Sequence, residues 1–212
     1  VELTMMDLRT YRDEQVRFGP RKMAAEGRTM LGSEQYNWLL NKIETSSAKW
    51  NMLGNSVMFS PMNLATLQQD DKTKPVSSSL SSNITGIPVN GDQWDGYSAE
   101  RRLLIDALSK HDSHTLFVTG DIHSEWAHNI SKDGRIFGAE MVCASVSAPN
   151  VNEQLKLPEG NELSKLAERY LMGANPHTRH VDLDHHGYSY VTVHPDSAEM
   201  HWLRVDNLLT AK

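Results

Sequence analysis

Three segments of the chain carry apolar residues at helical spacing. They predict a helix over 33–45, a second that begins at Ser98, and a third over 162–173. Ser33 and Ser98 are suited to capping the first two helices, and Gly173 is suited to ending the third. The apolar residues expected on the inner faces are Trp38, Leu39, Ile43, Leu103, Leu104, Ala107, Leu108, Leu163, Leu166, Ala167, Tyr170 and Leu171.

Runs of apolar and β-branched residues predict strands between these helices. We expect strands over 51–59, 116–119 and 139–146. The first residues of the chain also show an imperfect strand-like alternation. Two alternating segments near the end, joined by "HPDSAE", predict an antiparallel hairpin.

The order of these elements indicates the class of fold. Helices that alternate with strands are typical of an α/β domain. Residues 62–93 are polar and rich in serine, and they predict a long surface excursion within that domain rather than a linker. The chain has 212 residues, of which 39% are hydrophobic, so it can bury one sizeable core or two small ones.

Composition narrows the classes of partner. The net charge of −6 argues against a general nucleic-acid binder, which usually has a basic face. If the substrate is an anion, the positive charge that binds it must therefore be local. No stretch approaches the roughly 20 apolar residues that a membrane span needs. Cys143 is the single cysteine, so it cannot form an internal disulfide and is expected to be a small buried residue.

The stretch "LFVTGDIHSEWAHNI" places polar residues directly after a buried strand. Ligands in open α/β sheets bind beyond the carboxyl ends of strands, and both Asp121 and His123 are metal-ligand types. We expect Gly120 to let the backbone turn sharply there. A structural interpretation is also open, in which Asp121 caps a turn and His123 forms a surface hydrogen bond. Two ligands alone do not complete a metal site.

Several motifs resemble one family in the order in which that family carries them. The blocks are "MMDLRTYRD", "LGSEQYNWL" with "SSAKWNMLGNSV", "WDGYSAERRLLIDAL", "GDIHSEWAHN", "EMVCASVSAP", and "NPH" followed by "HGYSYVTV". Together they resemble the PhoD-type alkaline phosphatases, a branch of the metallophosphoesterases, over nearly the whole chain. The resemblance implies an α/β metallophosphatase fold with two mixed β-sheets flanked by helices.

The resemblance also implies an incomplete catalytic domain. The family's N-terminal motifs, which bring most of its metal ligands, do not occur in this chain. Residues 1–212 are therefore expected to be the C-terminal portion of the domain. Either the chain is a fragment, or a second chain supplies the missing half. On this basis the chain alone is expected to be inactive.

The implied activity is hydrolysis of phosphate monoesters or diesters at a metal cluster. Similarity to the family suggests iron and calcium, with Asp121 as an anionic ligand and His123 as a ligand or as a donor to the bound oxygen. Such a cluster holds the phosphate oxygens and stabilises the charge on the leaving oxygen. The resemblance further implies a secreted or periplasmic protein.

Two arginines near the N-terminus are candidates for binding the substrate. Arg9 and Arg12 follow the first predicted strand, and a guanidinium can bind a phosphate through two parallel hydrogen bonds. The alternative is an ion pair with Asp7 or Asp13.

Aromatic residues and histidines complete the set of candidates. Trp94 and Asp95 precede a predicted helix, so they either line a pocket rim or serve in packing and capping. Trp126 either forms a wall of the site or belongs to the core. Three further histidines are considered for a second metal site: His177, His185 and His186. Their surroundings favour loop positions over such a site.

Two classes of function remain open from the sequence. The first is a metal-dependent phosphoesterase that works only within a complete domain. The second is a non-catalytic binding or scaffold domain that has kept the fold and lost the metal centre. The family ligands that are absent from this chain are the observation that favours the second class.

Overall fold

The computed structural model describes residues 1–16, 19–66, 86–88 and 90–205. Its strands are β1 (Glu2–Met5), β2 (Trp50–Asn55), β3 (Asn63–Thr66), β4 (Gly86–Pro88), β5 (His114–Thr119), β6 (Glu125–Lys132), β7 (Arg135–Val142), β8 (Thr178–Asp182), β9 (Gly187–Val193) and β10 (Ala198–Arg204). Its α-helices are α1 (Pro20–Met23), α2 (Gly32–Thr45), α3 (Ser98–Leu108), α4 (Val151–Gln154) and α5 (Glu162–Ala174). A 3₁₀ turn spans Trp94–Tyr97.

A mixed six-stranded sheet forms the centre of the fold, with strand order β1-β2-β5-β7-β6-β8. Strands β1, β2, β5 and β7 are parallel, whereas β6 is antiparallel to both of its neighbours, β7 and β8. Five strands therefore end at one edge of the sheet, and β6 begins there. We call this the carboxyl edge.

Two smaller antiparallel sheets accompany the central one. Strands β9 and β10 form the hairpin expected from the alternating C-terminal segments. Strands β3 and β4 pair within the region expected to be a surface excursion, of which residues 67–85 and 89 lie outside the described residues. The expected α/β class, with sheets flanked by helices, is observed.

Strands β6 and β7 form a hairpin although β5 and β7 are neighbours in the sheet. The two residues between them, Asp133 and Gly134, both have positive φ, 50° and 80°. That backbone is the one that two-residue hairpins favour, because its twist matches that of the strands. Strand β6 therefore lies on the far side of β7 from β5. Between β5 and β6 the chain passes the position that β7 occupies.

The main core lies between the helices α2 and α3 and the sheet. Phe59 stacks on Phe117 of β5 at 4.1 Å between ring centroids and meets Trp94 edge-on at 5.2 Å. The other buried residues of this cluster include Leu8, Met30, Leu31, Leu39, Ile43, Leu53, Val57, Tyr97, Leu104 and Leu108. Helices α2 and α3 thus bury Leu39, Ile43, Leu104 and Leu108, as their periodicity predicted. Trp38 and Leu103 were expected on the same faces, but they are exposed.

Helix α5 covers a second, smaller core but buries only part of its apolar face. Ala167 and Leu171 pack against a cluster that contains Trp126 and Val142. Three further apolar residues of the same helix are more than half exposed: Leu163, Leu166 and Tyr170. The sequence predicted this face correctly as apolar, but periodicity does not show what covers it.

The element boundaries differ from expectation at several places. The strand expected over 139–146 ends at Val142, and β6 and β8 were not anticipated. Helix α2 begins one residue before Ser33. Gly173 lies inside α5, whose C-cap is Asn175, because the Asn175 amide still donates to the Leu171 carbonyl at 3.0 Å. In the described part of the chain, we find no helix with the length and apolar character of a membrane span.

Candidate active site

The carboxyl edge brings together side chains that are far apart in the sequence. Arg9 and Arg12 follow β1, whereas Asp121 follows β5. Asp92 reaches the same place from the loop that precedes the 3₁₀ turn. Parallel strands end at the same edge, so the topology alone juxtaposes the segments that follow β1 and β5.

Asp92 binds both arginines. Nη1 of Arg9 donates to both carboxylate oxygens of Asp92, at 2.9 and 2.8 Å. Nη2 of Arg12 lies 2.9 Å from Oδ1 of the same carboxylate, and Nη1 of Arg12 donates to the Asp92 carbonyl at 2.8 Å. The sequence missed Asp92, and its only local signal is a polar Asn-Gly-Asp turn.

Arg9 also contacts Asp121. Its Nη2 donates to Oδ1 of Asp121 at 2.9 Å, so one guanidinium joins the two carboxylates. Burial lowers the pKa of Arg9, but the hydrogen bonds and negative charges of Asp92 and Asp121 together outweigh burial and raise the pKa above its ordinary value. Conversely, burial raises the pKa of Asp92, and hydrogen bonds from Arg9 and Arg12 bring it below the ordinary value.

The two aspartates proposed as alternative partners of the arginines have other roles. Oδ1 of Asp7 accepts the backbone amides of Arg9 and Thr10, each at 2.9 Å, and thus fixes the turn after β1. Asp13 accepts the backbone amide of Thr29 at 2.9 Å. Neither carboxylate has a described contact with a guanidinium of Arg9 or Arg12. The ion-pair partners are Asp92, which binds both arginines, and Asp121, which binds Arg9.

The turn after β5 has an unusual backbone. Asp121 and His123 have left-handed φ angles of 72° and 55°, which cost free energy for residues with a Cβ atom. Gly120 has no such angle, and a Cβ atom on it would contact nothing within 4 Å. The expectation that Gly120 makes the sharp turn is therefore wrong. Such strain at polar residues is typical of functional sites.

The side chain of His123 is oriented by a backbone carbonyl. Its Nδ1 lies 3.1 Å from the Pro149 carbonyl oxygen, which can only accept, so Nδ1 carries the proton. When the ring is neutral, Nε2 is therefore the nitrogen with a lone pair. A histidine that binds a metal commonly donates its other N–H to a carbonyl in this way.

These donors fit part of a metal site. Oδ1 of Asp121 is engaged by Arg9, and the carboxylate is partly exposed. Among the described residues, however, no group of three or more histidine, cysteine or carboxylate side chains lies close enough to hold a metal ion. Asp121 and His123 are thus two residues of metal-ligand type, without the third that a metal group needs among the described residues.

Three other sequence candidates are buried and have structural partners. Trp94 is fully buried, and its indole N–H donates to Oδ1 of Asn55 at 3.0 Å. Asp95 forms a buried ion pair with Arg101 at 2.7 Å. Trp126 is also buried and donates to the Ser124 hydroxyl at 2.7 Å. These contacts are those of packing and structural polar groups, and we do not assign these residues to substrate binding.

A buried polar network lies directly behind the turn. Glu140 of β7 is completely buried and accepts the backbone amides of Phe59 and Ser60, each at 2.7 Å. It also accepts the hydroxyl of Thr119 at 2.8 Å, the last residue of β5. Asn55 donates to the same hydroxyl oxygen at 3.1 Å. Burial raises the pKa of Glu140, against the effect of these hydrogen bonds.

A second charged cluster lies further along the carboxyl edge. Arg204 of β10 donates to the buried carboxylate of Glu125 at 2.7 Å and lies 2.9 Å from Asp182. His180 contacts Glu125 at 3.2 Å, and His185 contacts Asp182 at 2.7 Å. The cluster attaches the β9–β10 hairpin to the central sheet, and the burial of Glu125 depends on it.

The three histidines that were expected in loops, His177, His185 and His186, lie outside the strands and helices. His177 precedes β8 and contacts the Pro61 carbonyl at 2.9 Å. His185 and His186 lie between β8 and β9, and His186 contacts Glu153 at 3.0 Å. Each ring is therefore engaged by a protein oxygen.

A cavity of about 240 Å³ lies elsewhere, beside helix α3. Arg101, Arg102 and His177 contribute to its lining. Both guanidiniums already have carboxylate partners, since Arg101 binds Asp95 and Arg102 binds Glu26 at 2.9 Å. The cavity therefore carries little uncompensated positive charge.

Comparison with known proteins gives concordant results. A family model described as PhoD-like phosphatase matches residues 1–202. Alkaline phosphatase D of Bacillus subtilis (strain 168) is 32% identical over 203 residues, which cover 90% of this chain and 30% of that protein. A solved structure described as "Structure of PhoD" aligns with a TM-score of 0.68 and 24% identity, covering 94% of this chain and 38% of that one.

The comparisons confirm the resemblance that the ordered motifs predicted. The structural match, at its low identity, shows a shared fold and confirms the expected fold class. The chain spans 30% of the length of the curated relative that it matches.

Proposed function

The chain belongs to the PhoD-like phosphatase family, and we propose that it hydrolyses phosphate monoesters or diesters as the C-terminal portion of a complete catalytic domain. The observation that carries this proposal is the group of Arg9, Asp92 and Asp121 at the carboxyl edge. It places a guanidinium beside a candidate ligand at the edge where open α/β sheets bind their ligands.

Arg9 and Arg12 are the proposed phosphate-binding residues. Guanidinium groups are suited to phosphate recognition because they always carry a charge and donate strong hydrogen bonds to phosphate oxygens. The net charge of the chain is −6, so an anionic substrate requires local positive charge. Asp92 and Asp121 offset the charge of the two guanidiniums, so we propose that bound metal ions supply the rest. Arg9 is well placed because its side chain is 43% exposed while its guanidinium is held on both sides.

Asp121 and His123 are the residues that we propose would hold a metal ion. A bound metal ion would polarise the phosphoryl group and lower the pKa of a coordinated water. Asp121 supplies a carboxylate, and His123 supplies an Nε2 whose orientation its Pro149 contact fixes. The family resemblance proposes iron and calcium as the ions.

The rest of the domain is proposed to complete both the site and the fold. Strand β1 forms one end of the central sheet, and Leu3 and Met5 on it are more than half exposed. The exposed residues of α5 form another uncovered apolar surface. Exposed apolar rows of this kind normally have a partner. We infer that the missing part, or a second chain, covers them and brings the further metal ligands. The family resemblance also proposes a secreted or periplasmic location.

A non-catalytic binding or scaffold domain is the second candidate. The observation that favours it is the lack of a three-ligand metal group among the described residues. Under this alternative, the complete protein would bind no stoichiometric metal ion at this edge.

One experiment separates these candidates. The chain and a complete domain that contains it would be purified, analysed for iron and calcium, and assayed on an aryl phosphate and an aryl phosphodiester. We expect stoichiometric metal and hydrolysis in the complete domain, and neither in the chain alone. A complete domain without metal and without hydrolysis would support the scaffold function instead.

A further inference from the structure

We propose that Asp92 is a positioning residue that holds the guanidiniums of Arg9 and Arg12 in the orientation in which they bind a substrate phosphate. This inference rests on the proposed function, because it concerns the same site. Nothing in the order of the sequence marks Asp92 for this role, since it lies 83 residues from Arg9 along the chain.

The contacts of Asp92 use nearly all of its acceptors for the two arginines. Both carboxylate oxygens accept from Nη1 of Arg9, and Oδ1 also lies 2.9 Å from Nη2 of Arg12. The carbonyl oxygen of Asp92 accepts from Nη1 of Arg12. The backbone of Asp92 is itself held, because its amide donates to the side chain of Asn90 at 3.0 Å. A single residue thus fixes two cations side by side.

The two terminal nitrogens of Arg9 have different partners. Nη1 is committed to Asp92, whereas Nη2 contacts only one oxygen of the more exposed Asp121. Nη2 is therefore the nitrogen that can exchange its partner for a phosphate oxygen without moving the guanidinium. If Asp92 were absent, Asp121 would be the remaining carboxylate partner of Arg9, and the guanidinium would be held at one side only.

Among the described residues, Asp92 is the one carboxylate that contacts both arginines. Asp7 is the nearest acid in the sequence, but its carboxylate binds backbone amides of the turn. Asp7 thus fixes the path of the chain after β1, and Asp92 fixes the side chains. Because Asp7 and Asp92 have separate roles, a substitution at Asp92 alone tests whether it positions the arginines.

The test compares Asp92→Asn with Glu26→Gln in the complete domain. Both variants convert a carboxylate that binds an arginine into the corresponding amide, but Glu26 pairs with Arg102 away from the site. Steady-state kinetics on an aryl phosphate would give kcat and KM separately. Inhibition by inorganic phosphate would report binding of the phosphate group without turnover.

We expect Asp92→Asn to lower kcat/KM by about ten- to a hundredfold, because small misplacements of positioning groups have effects of that size. The larger share of the loss should be in KM, and inhibition by phosphate should weaken in parallel. Glu26→Gln should stay within twofold of the wild type. In an Arg9→Ala background, Asp92→Asn should have a markedly smaller effect, because the residue that it positions is gone.

The outcomes distinguish this inference from the proposed function. Equal kcat/KM for Asp92→Asn and the wild type would overturn the role of Asp92 alone. So would full additivity of Asp92→Asn with Arg9→Ala. A wild-type complete domain that hydrolyses no phosphoester would overturn the proposed function and, with it, the assignment of a phosphate to Arg9.

Discussion

The carboxylate of Glu140 accepts a 2.8 Å hydrogen bond from the hydroxyl of Thr119, the last residue of β5. This contact ties the buried centre of β7 to the end of the neighbouring strand, two residues before Asp121. The same carboxylate accepts two backbone amides of the segment that follows β2. The side chain of Glu140 thereby holds the end of β5 and the segment that follows β2.

Replacing Glu140 by glutamine should destabilise the fold. The carboxylate accepts on both oxygens, whereas a glutamine would direct its NH₂ group at one of the backbone N–H donors. A buried donor left without an acceptor costs about 1–3 kcal/mol. Chemical denaturation should therefore show a free energy of unfolding lower by about that amount, with the exposed Glu44→Gln changing it by less than about 0.5 kcal/mol. Equal stability of the two variants would contradict the network.

Substitutions in the turn after β5 should affect hydrolysis unequally. In the complete domain, Asp121→Ala should abolish activity on an aryl phosphate, because it removes a proposed metal ligand. His123→Ala should cost about 10- to 100-fold if its ring acts as a supporting group, since such groups have effects of that size. Metal content would be measured in the same samples. Full activity and full metal occupancy in Asp121→Ala would show that the turn is only structural.

The left-handed backbone at position 123 predicts a stability difference between two small substitutions. An L-residue with a Cβ atom is disfavoured in this conformation by about 1–2 kcal/mol, whereas glycine is not. Part of this stability advantage of glycine is lost, because glycine raises the conformational entropy of the unfolded chain. His123→Gly should therefore be more stable than His123→Ala by roughly 0.5–1 kcal/mol in thermal or chemical unfolding. If alanine were the more stable, His123 would not hold its φ of 55° in solution.

His128 should make the stability of the fold depend on pH. Burial, followed by the nearby His177, lowers the pKa of His128 from 6.5 to about 3. Between these values the unfolded chain binds a proton that the folded state excludes. Stability from this group is therefore complete above pH 6.5 and falls as the pH decreases towards 3. His128 contributes up to about 1.4 kcal/mol per pH unit to the slope of the free energy of unfolding against pH.

A matched pair of variants would isolate this effect. His128→Phe keeps an aromatic ring against Trp126, on which His128 stacks at 5.6 Å. The free energy of unfolding of this variant should depend less on pH between 6 and 4 than that of the wild type. His201→Phe replaces an exposed histidine that stacks on Tyr190 and serves as the control. An unchanged slope in His128→Phe would refute the prediction.

The parts of the fold that the sequence predicted are those whose burial follows local periodicity. Leu39 and Leu104 recur with their neighbours at helical spacing, and both are fully buried. Strand β6 was missed because its segment, "EWAHNISK", has polar residues at buried positions. Glu125 and His128 are nearly inaccessible there, and their partners, Arg204 and Thr178, are at least 50 residues away in the sequence.

In the candidate site, too, the sequence pattern did not reveal partners that are distant along the chain. Arg9, Arg12 and Asp121 became candidates because they come after strands, where the topology of an α/β sheet gathers ligands. Asp92 follows no strand of the central sheet, so no pattern connected it with the arginines. Trp94 and Trp126 were candidates through their neighbours in the sequence, but an indole near a site in sequence is equally suited to the core, and burial decides between the two.

The placement of β6 beyond β7 has a consequence for the order in which the chain folds. The β6–β7 hairpin needs only contacts close in the sequence, and hairpins form within about 1–10 μs. Pairing of β5 with β7 spans more of the chain and closes the loop that carries Asp121 and His123. Pulse-labelled amide exchange should therefore find the hairpin protected before β1 and β2. The turn that carries Asp121 and His123 would then be fixed only in the step that joins the hairpin to β5, so a partly folded chain would lack the arrangement of the candidate site.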